Sequence, residues 1–170
     1  MGRDNYMGKL TQSRLRELLD YNPETGAFVW LSYRSQRARV GSIAGRINTL
    51  TGYIEIQIDG IRYKAHRLAW MYINGAMPEK QIDHISGIKT DNRISNLREA
   101  TRSQNQQNIG LTKANKSGRK GVHYRDGKWI AQAQINGKRY RLGRYHCIDE
   151  ASNAYESFCK KHYKDFYRQS

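Results

Sequence analysis

The sequence predicts an α+β protein made of two modules, and three observations carry that prediction. An N-terminal stretch mixes helical and strand periodicity, a basic stretch near the C-terminus alternates as three short strands, and one amphipathic helix follows it. The 170 residues suffice for one ordinary domain or two small ones.

In "LTQSRLRELLD" (10–20), Leu15, Leu18 and Leu19 fall on one face of a short helix with Thr11 as its cap. "NPETG" (22–26) is a turn into the strand "AFVWL". "YIEIQIDGIRYKAH" alternates, so Ile54, Ile56 and Ile58 share a side and Asp59–Gly60 closes a hairpin. A helix "HRLAWMYING" (66–75) comes next, ended before Pro78. Residues 111–118 have the basic, Gly/Ser-containing composition of a linker, which divides the chain into 1–110 and 119–170. In the second part "KGVHYRD", "KWIAQAQIN" and "KRYRLGRYH" are strands joined at Asp126–Gly127 and Asn136–Gly137. A helix over about 149–163 places Ala151, Ala154, Tyr155, Phe158 and Cys159 on one face, enough to back a three-stranded antiparallel sheet.

Thirty Lys and Arg against fifteen Asp and Glu give a net charge of +15, which points to a polyanionic partner. Ten of the cations and one acid, Asp126, lie in residues 113–146. No apolar run of membrane length and no leader pattern is visible, so a soluble intracellular protein is expected, with nucleic acid rather than a membrane as its partner. Cys147 and Cys159 are too few for a disulfide framework or a zinc knuckle and are expected to be reduced and inert.

The polar segment "IDHISGIKTDNRISNLREATRSQNQQN" (82–108) holds the candidate chemistry. "KQIDHI" and "NLREAT" are short strands, "SGIKTDNRIS" a loop, and "RSQNQQN" a polar helix. Phosphodiester hydrolysis needs a hard cation on the phosphate, a base for the attacking water, and something to hold that base. Asp83 and an asparagine carbonyl are suitable oxygen ligands, and His84 is the side chain of this segment that can accept a proton near neutral pH. Taken singly, Asp83 and Asn105 are ordinary turn or cap residues and His84 an ordinary hydrogen-bonded histidine. The ordered set of Asp83–His84, Asn96 and Asn105 changes that balance. Asn92 and Asn108 are expected to be structural, His66 to pack under the sheet, and His123, His146 and His162 to be without a site role.

This segment resembles the HNH nucleases of the ββα-metal subgroup found in phage and intron-encoded homing endonucleases, as do "AHRLAW" and "NPETG" upstream. The resemblance implies a ββα-metal core at about 80–108 with His84 as general base. It implies Asp83 and Asn105 as metal ligands, and Asn96 as the residue that orients His84 by accepting its ring N–H. The implied cofactor is Mg²⁺ or another divalent cation such as Mn²⁺, with no small-molecule cofactor. The implied setting is the cytoplasm of a bacterial or phage-infected cell.

"SGRKGVHYRDGKWIAQAQINGKRYRLGRYHCIDEASNAYESF" is similar to the APETALA-type (ethylene-response-factor) DNA-binding domain. That similarity implies a sheet in the major groove of double-stranded DNA, with contacts from Arg125, Trp129, Arg139, Arg141 and Arg144. Taken as a residue alone, Trp129 fits the core slightly better. The function expected is a DNA endonuclease, cutting one strand as a monomer or both as a dimer. A non-catalytic DNA-binding regulator is the alternative, and the intact Asp83–His84–Asn96–Asn105 set stands against it. An RNA-binding protein would need clustered exposed aromatics that are missing here.

Overall fold

The computed structural model describes residues 10–112 and 114–167; Lys113, one of the ten cations counted above, lies outside them. The chain forms two compact units that divide between Glu99 and Ala100.

In the first unit, α1 (Gln12–Leu18) starts at Thr11, whose hydroxyl accepts the Arg14 amide at 3.1 Å. Leu19 leaves the helix in an extended conformation, although its spacing fits the helical face. It opens β1 (Leu19–Tyr21), which pairs antiparallel with β2 (Phe28–Trp30), Leu19 opposite Trp30. Strand pairing overrides a weak local helix preference here. The "NPETG" turn between them is held by Asn22 Oδ1, which accepts the Glu24 amide at 2.9 Å and the Thr25 amide at 3.1 Å.

A two-residue strand that the pattern does not reveal, β3 (Arg46–Ile47), joins β4 (Ile54–Ile58) and β5 (Ile61–Lys64) in an antiparallel sheet with β4 in the middle. Then α2 (Ala65–Asn74) ends at Gly75, whose φ of +88° is the left-handed conformation that stops helices. Arg67 on α2 donates to the carbonyls of Pro78 at 3.0 Å and Lys80 at 3.3 Å, fixing the entry into β6 (Gln81–His84). β6 pairs with β7 (Leu97–Ala100), and a 3₁₀ turn at Ile94–Asn96 precedes β7. Leu15, Leu18, Phe28, Ile56, Ile58, Leu68, Ile82 and Leu97 are buried in one core, so both helices and the strands share a single apolar interior.

The second unit starts with α3 (Arg102–Asn108), opened by a capping box in which Thr101 and Gln104 each bond the other's backbone. Residue 120 and residue 136 both use this helix: Lys120 Nζ donates to the Gln107 carbonyl at 2.6 Å, and the Asn136 amide to Ser103 Oγ at 2.9 Å. α3 groups with the C-terminal part, to which these bonds tie it, whereas the sequence pattern places it before a linker at 111–118. Within that stretch Ser117 Oγ donates to the Val122 carbonyl at 2.7 Å, so its second half is a structured lead into the sheet.

The sheet is β8 (Val122–Arg125), β9 (Lys128–Ile135) and β10 (Lys138–Tyr145), antiparallel with β9 central. It is backed by α4 (Ile148–Tyr163), as its amphipathic pattern predicts. Ala151, Tyr155 and Cys159 of α4 are buried with Val122, Ala131 and Ala133, while Ala154 and Phe158 pack at the margin. Among the described residues no helix is long and apolar enough to cross a membrane.

Candidate active site

In the first unit, β6 delivers Asp83 and His84 side by side, each only 4% exposed. The His84 ring faces Asn92, with Nε2 at 3.2 Å from Oδ1. An amide oxygen can only accept, so Nε2 carries the ring hydrogen and Nδ1 is the basic nitrogen of the tautomer. Burial pulls the His84 pKa below its ordinary value, against the hydrogen bond to Asn92 and the charges of Asp83 and Asp91, which raise it. The imidazole is therefore neutral at neutral pH, the state a general base requires.

Asn92 is itself tightly placed. It is 1% exposed, and its carbonyl accepts the Tyr21 hydroxyl at 2.7 Å. Gly26, at φ +73°, lies so close that a Cβ there would sit 2.5 Å from the Arg93 amide nitrogen and the Asn92 carbonyl carbon. The "NPETG" turn thus buttresses the segment that holds the histidine.

The sequence reading assigns the ring-orienting role to Asn96, and here the structure corrects it. Both ends of the Asn96 side chain are committed to the loop between β6 and β7: Oδ1 accepts the Ser86 amide at 2.9 Å and Nδ2 donates to the Asp91 carbonyl at 2.8 Å. Asn96 shapes the loop and Asn92 takes the ring contact, the reverse of the expectation for the two residues. A buried asparagine in a turn-rich loop has no spacing signal of its own, so Asn92 was legible only as a structural residue.

Asp83 Oδ2 accepts from Arg98 Nε at 2.9 Å and lies 2.8 Å from Nη2, a pairing across β6 and β7 that the sequence motif does not anticipate. His66, at the start of α2, meets His84 edge to face with ring centroids 4.9 Å apart. Burial lowers its pKa to about 3, assisted by His84 and the cations Lys64 and Arg67. His66 is 5% exposed and packs against the Tyr53 and His84 rings. Asn105 lies on α3 and belongs to the second unit, half-buried, with its amide bonded to the Thr101 carbonyl at 2.9 Å.

In the second unit the strand registers sort the basic side chains onto one face. Arg125 pairs with Lys128, Arg139 with Gln134 and Arg141 with Gln132. A bulge between Arg141 and Gly143 then sets Arg144 opposite Ile130, so Arg144 joins the face of Arg139 and Arg141 instead of alternating away. Gly143, at φ +150°, permits the bulge, since a Cβ there would meet the Tyr145 ring at 2.6 Å. Arg125, Lys128, Arg139, Arg141 and Arg144 therefore share the face opposite Val122, Ala131 and Ala133, the residues that α4 covers. Trp129 is not on it. It pairs with Tyr145 on the helix-covered side, its ring 4.9 Å from Tyr124, which removes it from the contact set that the resemblance implies.

Residues 63–107, from the end of β5 to the last turn of α3, match the model of a family described as HNH endonuclease. The chain carries an HNH endonuclease domain, and by class it is an endonuclease. The match ends before the C-terminal sheet. Among solved structures the chain is similar to one titled "DNA binding and cleavage by the HNH homing endonuclease I-HmuI", at 19% identity over 85% of this chain and 77% of that one, with a TM-score of 0.42. No curated protein matches it.

Proposed function

We propose that the protein is a divalent-cation-dependent endonuclease of homing type that cuts duplex DNA, acting inside a bacterial or phage-infected cell. The observation that carries this reading is His84: a buried, neutral imidazole with its tautomer held by Asn92, beside a carboxylate, within the HNH-matching segment.

His84 accepts a proton from the attacking water through Nδ1, and the Nε2–H bond to Asn92 steadies the imidazolium that forms. Asn96 keeps the loop around the base closed on itself. Asp83 offers a carboxylate and the motif adds the Asn105 amide oxygen, oxygen donors of the kind a hard cation takes, while among the described residues no group of three or more His, Cys, Asp and Glu is gathered for a metal. Asp83 and Asn105 are the residues that would hold Mg²⁺ or Mn²⁺, the role of Asn105 resting on its place in the motif. When bound, the ion supplies Lewis-acid stabilisation of charge on the scissile phosphate. Arg98, paired with Asp83, sets the orientation of that carboxylate.

The sheet face of Arg125, Lys128, Arg139, Arg141 and Arg144 serves as the duplex anchor, a role supported by the cations gathered on that face. On this reading residues 1–110 act as the nuclease domain and 119–170 as the DNA-binding one. Incubation with supercoiled plasmid tests the function: open-circular or linear product with Mg²⁺ or Mn²⁺, and none in EDTA, is the expected result. Tight DNA binding without any nicking under either cation would instead identify a regulator.

A further inference from the structure

Two cations in the first unit have no part in the chemistry above. Lys64 ends β5, and Lys89 lies in the loop after β6; both are exposed. They converge on one side chain: Lys64 Nζ lies 4.6 Å and Lys89 Nζ 4.8 Å from the centroid of the Tyr53 ring. Lys89 Nζ is further held by the Thr51 carbonyl at 2.9 Å. Among the described residues neither ammonium makes an ion pair, although Glu55 is the register partner of Lys64. The ring that carries them is the one that meets the imidazoles, 5.0 Å from His66 and 5.8 Å from His84.

We infer that Lys64 and Lys89, seated on Tyr53, bind a backbone phosphate next to the bond being cut. This rests on the endonuclease reading and adds a substrate-contacting pair to it. Two ammonium groups gathered at one ring repel each other, and cation–π attraction in a solvated position is weak. A phosphate within reach of the ammonium groups supplies the counter-charge they lack, and lysine binds phosphate as a point charge without demanding a fixed plane. The ring and the Thr51 carbonyl restrict where the ammonium groups sit before DNA arrives, which lowers the ordering cost of the contact. Shielding of Tyr53 does not require the charges, since the aliphatic stems alone would cover it. A cation as occupant is excluded by the sign of the site. The lysines thus position the strand while His84 performs proton transfer.

The experiment uses the full chain, with Lys64→Met and Lys89→Met singly and together, and Lys64→Arg/Lys89→Arg as the charge-retaining control. Methionine keeps a stem over Tyr53, and matching melting curves verify the fold. Binding of a duplex oligonucleotide that contains the wild-type nick site is measured in EDTA across a salt series, and cleavage is measured separately with Mg²⁺. The double Met variant should bind about tenfold more weakly at low salt, with a salt slope shallower by about 1. KM should rise by a similar factor with kcat within about twofold, and the Arg pair should restore both. A neutral methylphosphonate, scanned through the phosphates beside the nick, should at one position weaken the wild type as much as the double substitution does. At that position it should weaken the double variant no further. An unchanged affinity and slope in a nicking-competent background, or methylphosphonate effects that simply add at every position, would overturn the lysine assignment alone. A wild-type protein that never nicks overturns the endonuclease reading, and this assignment with it.

Discussion

His84 Nε2 and Asn92 Oδ1 lie 3.2 Å apart, and that contact, rather than one to Asn96, sets the tautomer of the imidazole. Asn92→Leu should lower the nicking rate by roughly 10- to 100-fold, the usual cost of removing a residue that orients an active-site imidazole. DNA affinity should stay close to wild type, because no cation is removed. Asn96→Ala should act differently, through a loosened loop that lowers the urea midpoint. Rates and midpoints measured for both variants separate the two roles, and an Asn92→Leu rate near wild type would remove Asn92 from the site.

Gly26 precedes His84 by 58 residues in the chain, yet its backbone abuts Asn92 and Arg93. Gly26→Ala places a Cβ 2.5 Å from that backbone at a φ of +73°, so both strain and a clash oppose it. A loss of more than about 1 kcal/mol in unfolding free energy is expected, with a reduced nicking rate in the molecules that remain folded. Chemical denaturation and single-turnover nicking check the two effects.

His66 gives stability a pH dependence. Its pKa in the fold is about 3 against an ordinary 6.5, so the unfolded chain takes up the proton first as pH falls. A depressed folded value means the contribution is complete above pH 6.5 and is lost progressively on acidification toward pH 3. Between pH 7 and pH 5 the loss from this group is about 2 kcal/mol. Urea unfolding at those two pH values should show it in the wild type and show less of it in His66→Phe. An identical pH response in the two proteins would contradict the assignment.

The basic face of the second unit should govern affinity. Replacing Arg139, Arg141 and Arg144 together by Gln removes three cations from one face of β10. The salt slope of binding should fall by up to about 3 and affinity at low salt should drop correspondingly. Trp129→Phe is the control, and it should leave the slope unchanged because that ring is on the α4 side of the sheet. Electrophoretic shifts over a salt series read both variants.

What the sequence made legible follows from which signals are local. Thr11, the Asp59–Gly60 turn and the 148–163 helix depend on neighbours in the chain, and all three appear where their patterns place them. The Asp83–His84 pair stands out in the sequence because its spacing to Asn96 and Asn105 forms an ordered motif. Asn92 was missed because its position comes from Tyr21 and Gly26, some seventy residues earlier, and only folding brings those residues to it. Arg98 was missed for a similar reason, since its partner Asp83 is on the neighbouring strand. Trp129 was misplaced among DNA contacts because alternation fixes parity but not which parity faces the helix. That choice is made by Val122, Ala131 and Ala133 packing under α4.

The central claim is that His84 is the base of a DNA-cleaving centre. Nicking of supercoiled plasmid by wild type and by His84→Ala, at enzyme concentrations that saturate the DNA and with Mg²⁺ present, tests it most directly. The variant should bind the plasmid as wild type does and nick it roughly 10²- to 10⁴-fold more slowly, the contribution expected of a lost general base. A variant that binds normally and nicks within tenfold of wild type would contradict the claim.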